Sequence, residues 1–311
     1  MDFTFSEMQD ELRRQARDWV RDRYPLERAQ EAALSDAGWD QTTWRELVEL
    51  GWLGVSVAEE HGGAGLSFLE EAVLFEELGY ALYSGPFLVT LAALPSLPAE
   101  AQRAVVDGGR RWSVELGGYV PELERVDVVV TEDGAVPAAG STLPTMDVTR
   151  PLGRLGHDLG AEPLAEPLDL PRLRTGLALE AVGIAQRALD LGVEHARARE
   201  QFGRPIGVYQ AVSHPLADTY VDAELARSLA YWAAWAVAEG EPEAEVAAAA
   251  AVGRAGEAAV HACERSIQVH GGIGFTWEHV LHRYYKRALW IQAYGGYPRR
   301  QRALVAAWLL D

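Results

Sequence analysis

REQFGRPIGVYQAVSH, residues 199–214, separates two long apolar-periodic segments, and its reading decides the fold. Upstream, residues 172–200 carry Leu177, Ala181, Ile184, Leu189 and Val193 at helical spacing with no internal proline. That predicts one helix about 40 Å long at ~1.5 Å per residue, too long to stand alone. Downstream, residues 209–240, 244–270 and 279–294 repeat the pattern, with Gly240, Gly271 and Gly272 as C-terminal breakers. Residues 168–311 therefore predict a four-helix bundle. The quoted window fits an αα connection, with Phe202 as a plug, Gly203 as a cap and Pro205 as a breaker. It also fits a pyrophosphate site, because Arg199 lies beside freed backbone donors.

Working outward, residues 6–24 place Met8, Leu12, Ala16, Trp19 and Val20 on one helical face that Pro25 ends. Residues 42–50 and 68–83 predict two more helices around a Gly-rich connector, the second stopped by Gly85-Pro86. Between 95 and 167 the texture changes to short β-branched runs such as RVDVVVTEDGAV, which predict a few strands, and GHDLGAEPLAEPLDLP reads as a linker. The expected protein is mainly α with a small β insert, divided as 1–94, 95–167 and 168–311.

With 46 acidic and 28 basic residues among 311, the net charge of −18 repels nucleic acid and anionic membranes. No apolar run is long enough to span a bilayer, and the N-terminus has no signal-like core, so a cytoplasmic protein is expected. Cys263 is the only cysteine, which excludes an intrachain disulfide and Cys-rich zinc patterns.

A second window, IQVHGGIGFTWEHVLHRYYKRA at 267–288, joins Gln268 to the turn glycines Gly271, Gly272 and Gly274. It lacks the preceding strand and spacing of a dinucleotide fingerprint and fits a turn that lets two helices approach. Taken with LGWLGVSVAEEHGGAGLSFLEEAVLFEELGYAL at 50–82, the windows at 199–214 and 267–288 make the chain resemble the acyl-CoA dehydrogenase family. The resemblance covers the first eighty and the last 140 or so residues. It implies an N-terminal helical domain, a middle β domain and a C-terminal four-helix bundle, with FAD at a dimer interface. It also implies chemistry in which a glutamate takes the α-proton of an acyl-CoA while a hydride leaves the β-carbon for the flavin.

The departures are as informative. The family's Tyr-Glu-Gly-Thr window corresponds here to AYGGYPRRQR at 293–302, where Gly295 stands at the base position and Tyr297 replaces threonine. The alternative base position, near the start of the long helix, falls at Leu173. Glu180 lies two turns further on, about 10 Å along the axis, a poor substitute where small misplacements cost orders of magnitude. No Thr-Glu-Pro-x-Ala-Gly-Ser-like flavin loop occurs between 95 and 167, a segment several tens of residues short of the family pattern. In contrast Arg199, Gln201, Phe202, Gln210, Gln268, Gly271 and Gly272 match positions that reach FAD from the neighbouring subunit. The resemblance thus implies the shorter, base-lacking subunit of an α2β2 bacterial acyl-CoA dehydrogenase of the steroid side-chain type. Its implied partners are an acyl-CoA substrate, a larger subunit carrying the catalytic glutamate, and an electron-transfer flavoprotein or similar acceptor. Two alternatives stay open: a homomeric flavoprotein using another base such as Glu180, and a flavin-free scaffold.

The family's Arg-Asp pair is Lys286-Arg287 here. With Arg299, Arg300 and Arg302 it reads as solvated cations or as a surface for an acidic partner or a CoA phosphate. His261, His270, His279 and His282 fall on different faces or elements by their spacing, so no metal site is expected. Ser213-His214 lacks a nucleophile elbow. The tryptophans, among them Trp232, Trp235, Trp277, Trp290 and Trp308, read as core and interface filler.

Overall fold

The computed structural model describes residues 4–35 and 38–310. A capping box between Ser6 and Gln9 opens α1 (Glu7–Arg23). It is followed by α2 (Leu26–Leu34), α3 (Gln41–Glu49), α4 (Phe68–Tyr80), α5 (Phe87–Ala93) and α6 (Ala99–Val106). The expected helices at 6–24, 42–50 and 68–83 are present, while α2, α5 and α6 are additions. These are short, and α5 is buried at every position, so its FLVTLAA carries no apolar–polar alternation to signal a helix. Helix α6 lies within the segment whose texture predicts strands; the first strand begins at Trp112.

Six strands follow: β1 (Trp112–Val114), β2 (Val120–Pro121), β3 (Val128–Thr131), β4 (Gly134–Pro137), β5 (Gly140–Leu143) and β6 (Leu152–Leu155). They form two three-stranded sheets in the orders β1-β3-β4 and β2-β6-β5, with β1 parallel to β3 and the other pairs antiparallel. The bundle is α7 (Leu170–Ala198), α8 (Gln210–Ala238), α9 (Ala244–His270) and α10 (Leu281–Tyr294). A further helix, α11 (Pro298–Leu310), packs on α9. Among the described residues no helix is long and apolar enough to cross a membrane.

Helix α7 is the axis of the molecule, packed against α4, α8 and α9 and buried without a break from Arg172 to Ala185. Its crossing with α4 is made by two glycines. A Cβ on Gly79 would lie 2.3 Å from the Glu180 carbonyl oxygen, and one on Gly183 would lie 2.1 Å from that of Glu76. Helix propensity alone would favour alanine at position 183 by about 1 kcal/mol. The backbone-to-backbone clash reverses that sign, and Gly183→Ala is expected to destabilise the chain by ~3 kcal/mol in denaturant unfolding.

Where α7 and α10 meet the β segment, three arginines and three carboxylates interlock out of water. Arg287 reaches Asp147 and Glu180, both at 2.5 Å; Arg150 reaches Glu180 at 2.7 Å and Glu122 at 3.0 Å; Arg125 reaches Glu122 at 2.8 Å. None of the six is more than 6% exposed, so these pairs are desolvated rather than surface decoration. Burial pushes the Asp147 carboxyl up, but the Arg287 charge and hydrogen bonds from Thr149 and Arg287 outweigh it, holding it below the usual carboxylate range. Arg287 is therefore no part of a solvated cationic cluster. Its charge is opposite to that of the aspartate expected there, and Asp147 and Glu180 supply the matching anions.

Candidate functional site

The reading at 199–214 places Arg199 at the C-cap of α7, where it is exposed. The chain then makes a minimal hairpin of β7 (Glu200–Gln201) and β8 (Arg204–Pro205) before α8 starts at Gln210. The two turn residues adopt left-handed backbone, Phe202 at φ +55° and Gly203 at φ +74°. Phe202 is 92% exposed, its ring edge-on to Tyr209 with centroids 6.4 Å apart, and Arg204 lies over the Tyr209 ring. Gln268 is exposed on the last turn of α9, and Gly271 at φ +62° opens the glycine turn that Gly272 continues.

Because α7, α8 and α9 alternate in direction, all seven expected cofactor-contact residues gather at one end of the bundle. Six of them, Arg199, Gln201, Phe202, Gln210, Gln268 and Gly272, are exposed, and Gly271 is half-buried. Apolar side chains surround them in solvent: Val208 is 54%, Phe275 72% and Trp277 76% exposed. A groove of about 760 Å³ between α7 and α8, lined by Leu189, Val193, Leu216, Tyr220 and Val221, continues this apolar surface. Trp277 and Trp308 are thus surface groups, unlike the buried Trp290. Lys286 sits 4.0 Å over the Trp277 ring, and Arg302 pairs with Glu257.

Leu173 and Gly295, the two positions where the resemblance places a base, have the opposite character. Leu173 is fully buried, and a Cβ at Gly295 would lie 2.8 Å from Val252 Cγ2 and 3.0 Å from the Ile291 carbonyl oxygen. The Gly295 carbonyl accepts a hydrogen bond from Gln301. The cavity beside Glu180, walled by Phe75, Leu78, Tyr83, Phe87, Leu88 and Arg150, measures about 10 Å³. That holds about one water, against the several hundred Å³ of a ligand pocket. Glu180 spends Oε1 on two arginines. It is a structural anion, with no substrate space to act in.

The spacing of the histidines misleads. His195, His270 and His279, from three separate elements, lie ring against ring with centroids 4.2 Å apart at each step and planes tilted by 30° and 52°. Burial, then His270, then Arg199 lower the proton affinity of His195. Burial, followed by His270, His195 and His282, pushes His279 down to about 4. Among the described residues no group of three or more His, Cys, Asp or Glu is placed to hold a metal ion. His195 was not singled out from sequence; the signal was its position one turn before Arg199.

Residues 168–310 match the acyl-CoA dehydrogenase C-terminal domain and residues 6–102 the acyl-CoA dehydrogenase N-terminal domain. The chain is 39% identical over 276 residues to "Acyl-CoA dehydrogenase IpdE2" of Mycobacterium tuberculosis, covering 83% of each. To the IpdE2 of Mycolicibacterium smegmatis it is 35% identical, covering 87% of this chain and 88% of that one. Among solved structures it superposes on the "Tcur3481-Tcur3483 steroid ACAD G363A variant" with TM-score 0.90, 27% identity and 98% of both chains covered. On the ChsE4-ChsE5 complex from Mycobacterium tuberculosis the TM-score is 0.89 at 26% identity, covering 100% of this chain and 99% of that one.

Proposed function

Because the chain belongs to the acyl-CoA dehydrogenase family, we propose that it is the shorter subunit of a heteromeric enzyme and completes an FAD site on a larger, glutamate-bearing partner. One contrast carries this reading: the two base positions are sealed in the core, while the residues suited to a neighbour's cofactor face solvent together. The exposed end fits half of a dinucleotide site. Arg199 is exposed and carries no ion pair among the described residues, and beside it lie the amides of Gln201, Gln210 and Gln268 and the open backbone of Gly272. The cavity of about 10 Å³ beside Glu180 fits neither a flavin nor an acyl chain.

Bound FAD would supply the hydride acceptor for α,β-dehydrogenation of an acyl-CoA, passing its electrons to an electron-transfer flavoprotein or a similar carrier. This chain's residues have the binding tasks. Arg199 offsets diphosphate charge with a guanidinium matched to oxyanions. The glutamine amides orient the nucleotide, and Phe202, Phe275 and Trp277 exclude water at the junction. The proton transfer belongs to the larger subunit's glutamate. The steroid ACAD and the ChsE4-ChsE5 complex among the structural relatives support a steroid-type acyl-CoA and a partner of the same family.

Purification alone and after co-expression with the larger subunit tests the proposal by counting flavin. Expected are a colourless isolated chain and one FAD per unlike pair in the complex, with Arg199→Ala weakening retention about tenfold as a charge-assisted contact is lost. A yellow homodimer that oxidises acyl-CoA unaided overturns it.

A further inference from the structure

The three imidazoles lie at this same end of the bundle. His195 occupies the last turn of α7, His270 ends α9 immediately before Gly271, and His279 precedes α10. Each is half-buried. The Nδ1 of His270 donates to the Ser266 carbonyl at 2.8 Å, leaving Nε2 able to take a proton. His279 Nδ1 accepts the Leu281 N–H at 3.3 Å, a bond that requires the neutral ring.

Burial, His270 and Arg199 at the α7 cap disfavour a proton on His195, and burial, His270, His195 and His282 disfavour one on His279; Glu194 and Glu278 adjoin these rings in sequence and are both exposed. Burial, the neighbouring ring and Arg199 lower the proton affinity of His195, which therefore stays neutral at pH 7. An oxyanion placed against it makes protonation favourable, and by linkage protonation tightens the anion by the same factor.

We propose that His195, His270 and His279 form a proton-linked oxyanion subsite beneath the glycine turn, which takes up a proton as a diphosphate docks beside Arg199. The identity of the diphosphate rests on the reading of FAD bound in trans; the linkage itself does not. The proton goes to His195, one turn before Arg199 on α7, since His279 is tied to the Leu281 amide.

Inorganic sulfate, an oxyanion that does not itself titrate near neutrality, serves as the probe for the isolated chain. Histidine ring resonances are followed from pH 5.5 to 7.5 with sulfate or with sodium chloride at matched ionic strength. Sulfate is expected to raise the His195 midpoint by about one pH unit, equivalent to about tenfold tighter binding of sulfate by the protonated than by the neutral ring. His195→Gln is expected to abolish that linkage, with His270→Gln, which removes the ring packed against it, as the second variant should the first not fold. Midpoints unmoved by sulfate, or moved equally by chloride, overturn the subsite while leaving flavin counts in the complex untouched. A normal sulfate linkage with no flavin in the complex preserves the subsite and removes FAD as its occupant.

Discussion

Arg287→Met is expected to lower the unfolding free energy by ~3–5 kcal/mol, the usual consequence of removing one partner from a buried ion pair. The side chain is wholly enclosed and serves Asp147, Glu180 and Thr149 together. Without it, Asp147 keeps only its Thr149 hydrogen bonds, and Glu180 keeps only Arg150. The pH dependence identifies the cause. In the native chain the folded Asp147 carboxyl lies below its ordinary value, so its stabilisation is present above the ordinary carboxylate range and is lost as pH falls through the folded value. In the variant, burial without Arg287 raises that carboxyl, so protonation relieves the folded state. The stability gap should therefore narrow between pH 7 and about pH 4.5, measured as urea midpoints. Arg287→Met combined with Asp147→Asn should recover part of the loss, since the uncompensated charge is gone. An Arg287→Met chain as stable as the parent at pH 7 would show the network to be incidental.

This network marks where sequence reading stops. The long helices α7, α8 and α9 were legible because their apolar positions recur over seven or more turns, and their observed ends fall within two residues of the expected ones. Short elements buried on every side, such as α5, leave no periodic trace. Gly295 and Leu173 could be read as lacking a carboxylate, but not as sealed, because closure at Gly295 depends on Val252 and Leu177, both distant from it in sequence. Arg287 reads as surface charge until its anions, 140 and 107 residues away, are placed beside it. The histidine column is the same kind of failure. Spacing along one chain separates His270 from His279, and the glycine turn between them folds one onto the other.

Phe202→Gly should separate the needs of the free chain from those of the complex. A phenylalanine in left-handed backbone costs ~1–2 kcal/mol that glycine avoids, and at 92% exposure its ring returns little to the isolated fold. Strain of this kind persists where function maintains it, and a fully exposed aromatic beside Arg199 is suited to a partner's pocket. The isolated variant is accordingly expected to be as stable as the parent, or up to ~1 kcal/mol more stable. Its association with the larger subunit is expected to lose ~2–4 kcal/mol, about 30- to 1000-fold in Kd, as for a central aromatic anchor. Thermal unfolding of the free chain and titration of the pair read the two effects separately. If the variant binds its partner undiminished, or is itself markedly less stable, Phe202 serves the hairpin and not the junction. The case for this end of the bundle as the subunit interface would then have to stand on Phe275 and Trp277.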